Sequence, residues 1–170
     1  MTEALSAFAN WLHETESSTA LRESQYVMPW VYVVHVISMA MFAGTILMMD
    51  LRLLGIANMQ TPFSQVQRRL FPWQMLGMAV SAITGVVLVY GSPLNYYANI
   101  IFWTKMFSMA LAGLNALAFH FITEYTLVDW DTHAAPPVSA KLAGAVSLVL
   151  WVNVIVAGRL MYYATTWFRA

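Results

Sequence analysis

The chain has 170 residues, 60% of them apolar and 9% charged, with eight Lys and Arg against eight Asp and Glu. A soluble domain carries about 25% charged residues, so this composition cannot cover a water-facing surface and points to lipid as the solvent. Balanced charge gives no reason to expect a nucleic-acid partner. The absence of cysteine excludes disulfides, thiolate zinc sites, iron–sulfur clusters and covalent c-type haem attachment.

Residues 1–26 contain Glu3, Glu14, Glu16 and Glu23 and no uninterrupted apolar run, so they do not read as a secretory leader. Within residues 2–14, Leu5, Phe8 and Leu12 share one helical stripe. Ala9 and Trp11 lie beside it, and Glu3 and Asn10 lie off it. This segment is too short to span and reads as an amphipathic helix lying on the membrane surface. Ser17, Ser18 and Thr19 offer N-caps for a second short helix, which Pro29 is expected to disturb or end. His13 reads as a solvated or interfacial imidazole.

Four apolar runs follow, each near the ~20 residues that a bilayer requires. They lie near 28–49, 71–90, 99–123 and 140–163. The expected fold is all-α: an integral membrane four-helix bundle over 27–170, preceded by an interfacial helical segment over 1–26. Trp30, Trp73, Trp103, Trp130 and Trp167 mark span junctions, as an aromatic belt would. Arg52, Arg68 and Arg69 lie in the first connection and Lys141 ends the third, whereas the second, GSPLNYYA, is uncharged. The positive-inside rule therefore puts connections one and three in the cytoplasm and both termini outside. Arg169 pulls weakly the other way.

The first span carries His35 near its start and closes in a DLRLLG box, Asp50 to Gly55. Arg52 is expected to meet headgroups there, and Asp50 to pair with it or with a neighbouring span. Counting from the span ends puts His35, Lys105 and Arg159 in one layer near the outer face. Intramembrane ionisable groups are functional-site hypotheses by default; the competing reading is that the two cations snorkel to headgroups. His120 stands 15 residues beyond Lys105, about 22 Å deeper at 1.5 Å per residue. It and His35 are therefore not expected to ligate one haem. It reads as a hydrogen-bonded bundle histidine, a second-site ligand or an inner-face interface residue, and His133 as solvated.

The twelve methionines are mostly packing residues. Met109, one turn below Lys105, is the best placed to ligate a metal opposite His35, since thioethers bind haem iron and Cu(I). Gly44, Gly77, Gly85, Gly113, Gly144 and Gly158 permit close helix approach or make room for a flat macrocycle. Asn115 and Asn153 can hydrogen-bond between helices.

The order His35, Gly44, Arg52, Arg69, Pro72, Gly85, Lys105, His120 resembles the four-helix core shared by HemJ-type protoporphyrinogen oxidases and CopD-type copper-resistance membrane proteins. The DLRLLG box and the preceding surface helix look like an uncharacterised bacterial branch of that group. The resemblance covers most of the chain from about residue 28 and implies a b-type haem in the bacterial inner membrane. It makes His35 the axial ligand to the metal and Lys105 an essential neighbour. The stretch MAMFAGTILMMDLRLLG keeps an Ala-Gly and a later Arg but lacks the Trp, Tyr and Pro of HemJ-type proteins. Few outer His or Met residues are available for copper.

The functional expectation is a haem b redox protein built as one subunit of a larger oxidoreductase system. It exchanges electrons with quinol or a periplasmic partner, and the His35, Lys105 and Arg159 layer with Trp103 offers an alternative quinone headgroup site. The alternatives are a non-redox accessory or assembly subunit packed on a larger membrane complex or on a second copy of itself, and a copper-handling protein.

Overall fold

The computed structural model describes residues 2–122, 130–131 and 136–167. The regular structure among them is helical: α1 Thr2–Glu14, α2 Glu16–Glu23, α3 Val27–Leu54, α4 Phe63–Gly91, α5 Pro93–Tyr97, α6 Ile100–Ile122 and α7 Val138–Trp167. Helices α3, α4, α6 and α7 are each long and apolar enough to cross a bilayer. Between 11% and 22% of their apolar windows is buried by protein, so most of their surface is left for lipid to cover. His133, Glu124 and Arg169 lie outside the described residues.

Local chemistry sets the helix ends. The N-cap of α2 is Thr15, whose hydroxyl accepts from Ser18 N–H at 3.4 Å, and the helix closes at Ser24. Pro29 does not end it. It sits in the first turn of α3, where a missing N–H leaves no helical bond unmade. At the far end of α3, Gly55 takes φ 77° and Ile56 N–H bonds Leu51 O at 2.9 Å; glycine accepts this left-handed closure without a Cβ clash. Helix α4 starts at Phe63, ahead of the expected apolar span. Its first turns bury Phe63 and Val66 and expose Arg68 and Arg69. Asp131, distant in sequence, caps this start: one carboxylate oxygen accepts from Ser64 N–H at 2.8 Å and the other from the Ser64 hydroxyl at 2.5 Å.

The close packing runs α4 on α3, α3 on α7, and α7 on α6. Two glycines make it possible. A Cβ on Gly77 would stand 3.0 Å from Ser38 O and Phe42 N, and one on Gly144 would stand 3.0 Å from Leu53 Cβ and 3.1 Å from Asp50 O. Gly44 and Gly113 meet nothing within 4 Å. Halfway along, Phe42 meets Trp151 edge-on, with ring centroids 4.7 Å apart.

Polar rungs tie α6 to α7. Asn99 Nδ2 donates to Met161 O at 3.2 Å, Asn153 Nδ2 to Ser108 Oγ at 2.6 Å, and Asn115 Nδ2 to Ala143 O at 2.9 Å. Buried clusters close both ends of the bundle. Met28, Leu88 and Tyr96 meet near α1 and α5, and Leu53, Phe63, Trp130 and Ala140 meet beside the DLRLLG box. Burial, and then the Tyr32 hydroxyl at 3.2 Å, push the Tyr96 phenol up, so it stays a donor.

The N-terminal segment folds back on the α1 end. Helix α1 lies on α5, and α2 lies on α4. Ser18, fully buried, donates to Tyr90 O at 2.9 Å. Ala9 is buried, whereas Phe8 and Trp11 are exposed with ring centroids 5.7 Å apart. An exposed aromatic pair at a bundle end suits the headgroup layer.

Candidate functional site: an imidazole held between two helices

His35 projects from α3 toward α4. Its Cε1 lies 3.3 Å from where a Cβ on Gly85 would stand, so glycine at that position makes room for the ring. Its Nδ1 lies 2.8 Å from Thr84 Oγ1. A hydroxyl has one hydrogen to give, and Thr84 donates it to Val80 O at 2.7 Å, with Ser81 O at 3.2 Å. With the Thr84 hydrogen on Val80 O, the ring completes the bond: in that tautomer Nδ1–H donates and Nε2 keeps its lone pair. A second helix thus holds the orientation of the imidazole. Thr84 carries no sequence signal, because a threonine in an apolar helix usually bonds only its own backbone.

Lys105 of α6 is close enough for its charge to act on His35. Its Nζ lies 3.7 Å from where a Cβ on Gly158 of α7 would stand. The ammonium is therefore directed into the bundle at the level of His35. Arg159 follows Gly158 on α7, but its side chain is exposed. Its guanidinium donates to Tyr163 Oη at 3.3 Å and lies 5.4 Å from that ring's centroid. Of the three nitrogen groups expected in one layer, Lys105 is directed toward Gly158 with its charge felt at His35, and Arg159 turns to the surface, where it bonds Tyr163.

Met109 is 38% exposed on α6, one turn beyond Lys105. His120 is exposed near the opposite end of α6, with its ring centroid 5.3 Å from that of Phe121. Among the described residues no group of three or more His, Cys, Asp or Glu side chains is placed to hold a metal ion. An open groove of about 400 Å³, lined by Tyr26, Val27, Trp30, Val31, Val34 and Thr84, runs beside the His35–Thr84 pair. Its surface is apolar and faces the lipid side of α3.

The DLRLLG end departs from the expected headgroup anchor. Arg52 is 1% exposed. Its Nε donates to Thr61 O at 2.9 Å and its Nη2 to Asp131 O at 3.4 Å. The side chain bends back under its own helix end and ties both neighbouring connections together. Asp50, two residues earlier, faces the other way, toward Ser147 of α7.

Four apolar spanning helices with a polar layer near one end define a multi-pass integral membrane protein. Residues 26–164 match the family model described as a family of unknown function (DUF6644), and the chain belongs to that family. No curated protein and no solved structure matches it.

Proposed function

We propose that the chain is a b-type haem redox protein of the membrane, with His35 as an axial ligand, acting inside a larger oxidoreductase system that exchanges electrons with quinol or an outer-face protein. The observation that carries this reading is the His35–Thr84 bond at 2.8 Å. Ligating histidines characteristically donate their second N–H to a protein group, which fixes the tautomer and leaves the other nitrogen for the metal. A haem iron needs no cage of protein ligands, since the macrocycle supplies four nitrogens and the chain one or two more. The donor set fits: the His35 imidazole would supply a ring nitrogen to the iron, and Lys105 would offset propionate charge as an ammonium or, after losing its proton, offer its amine lone pair to the iron. When bound, a haem supplies reversible one-electron transfer. His35, oriented by Thr84, would hold it. The resemblance to the HemJ and CopD core supports the same ligand, as does glycine opposite the ring at position 85.

A second reading rests on the same bond. His35–Thr84 also ties α3 to α4, so the imidazole can serve as an interhelical hydrogen bond in a non-redox accessory subunit. Oxidised and reduced visible spectra of detergent-purified protein, expressed with ample haem, separate the two. The haem reading expects a Soret band that is lost in His35→Ala. No Soret band in the wild type sinks it and leaves the accessory role. A band that survives His35→Ala and disappears in His120→Ala moves the site to the opposite end. In Lys105→Met, an altered band position assigns Lys105 to the iron, and an unaltered band assigns it to the propionates.

A further inference from the structure

Asp50 has no part in the haem reading, yet it is a carboxyl group 4% exposed in the last turns of a spanning helix. The Ser147 side chain of α7 faces it. Its Oδ2 is buried and meets no donor. The cations nearest in the fold are engaged or directed elsewhere. Arg52 lies on the opposite face of α3 and bonds Thr61 O and Asp131 O. Lys141 of α7 approaches Gly55 beyond the helix end, with Cε 4.0 Å from where a Gly55 Cβ would stand. Arg68 and Arg69 of α4 are exposed. Asp131, the other acid at this end among the described residues, spends both oxygens on Ser64. Gly144 brings α7 against the Asp50 backbone, 3.1 Å from the Cβ position to Asp50 O, and so removes the room in which water would solvate a charge.

We propose that Asp50 is a proton-binding site: a carboxylic acid, held between α3 and α7 by Ser147, that carries a proton in the resting protein and exchanges it with the aqueous phase at the DLRLLG end. An ionised carboxylate with one oxygen facing no donor and no cation is disfavoured in such a setting. The carboxylic acid needs one partner for its O–H, and the Ser147 hydroxyl is placed to accept it. Exchange is possible because Asp50 stands one turn before Gly55, where the helix ends. The ligand is the proton itself, and the proposal is independent of the haem reading.

Infrared spectroscopy of the purified full-length chain in lipid tests it. The expected result is a carbonyl stretch of a protonated carboxylic acid that is missing from Asp50→Asn, shifts in heavy water, and moves without disappearing in Ser147→Ala. Asp50→Asn, which mimics the neutral acid in shape, is expected to unfold at the wild-type temperature, whereas loss of an ionised carboxylate would shift that temperature markedly. Absence of the band from the wild type overturns the proposal. A band that is unmoved after prolonged exposure to heavy water overturns the exchange and leaves a sealed structural acid. If Asp50→Asn fails to fold, the Ser147→Ala shift decides alone, and a band indifferent to Ser147 overturns the assignment to Asp50.

Discussion

At the scale of single residues, position in sequence and environment in the fold diverge most for Arg52. An arginine just past an apolar run reads as a headgroup anchor, but this one is buried and holds two carbonyls from separate connections. Arg52→Ala leaves Thr61 O and Asp131 O without their charged donor. It is expected to destabilise the protein by at least about 2 kcal/mol in chemical unfolding from detergent. Exposed Arg68→Ala is expected to stay within about 0.5 kcal/mol, and equal effects from the two would contradict the clasp. Lysine should not rescue Arg52, because a single ammonium cannot reproduce the fork that reaches both carbonyls. Gly85 is the other decisive single position. An alanine methyl there would press on His35 Cε1, so Gly85→Val should displace the imidazole and broaden or remove any Soret band while α-helical circular dichroism persists.

At the scale of elements, the α3–α4 and α3–α7 contacts are glycine-dependent, whereas α6 joins α7 through polar rungs. Gly77→Val is expected to cost about 1–3 kcal/mol because its side chain would meet the α3 backbone. Gly44→Ala meets nothing within 4 Å and should be neutral or stabilising by up to about 1 kcal/mol through helix propensity. Unfolding midpoints of the two variants check this contrast, and similar losses at both glycines would contradict the packing. Asn153→Ala removes one rung between α7 and Ser108. It should cost about 0.6–2 kcal/mol, the range for hydrogen bonds between membrane helices.

At the scale of the whole molecule, the bundle presents two unlike ends. One holds α1, α2, α5 and the His35–Lys105 layer; the other holds the Arg52 clasp and the Asp50–Ser147 pair. The distribution of Lys and Arg predicts that the clasp end faces the cytoplasm. The chain lacks cysteine, so single cysteines report this directly. In intact cells a membrane-impermeant maleimide should label Asn95→Cys and spare Gln60→Cys. The reverse pattern would invert the orientation and place Asp50 on the outer side.

The sequence by itself determined the apolar character of the chain and its four spans, because these follow from composition and apolar run length. It also carried the two short N-terminal helices, though their exact ends depended on Thr15 and on Pro29 falling in a first turn. Tertiary structure alone decided what each polar group faces. Depth is a one-dimensional quantity, whereas the partner of a side chain depends on helix rotation and neighbour. That is why Thr84 on His35, Ser147 on Asp50, the burial of Arg52 and the outward turn of Arg159 onto Tyr163 emerge only once the helices are packed.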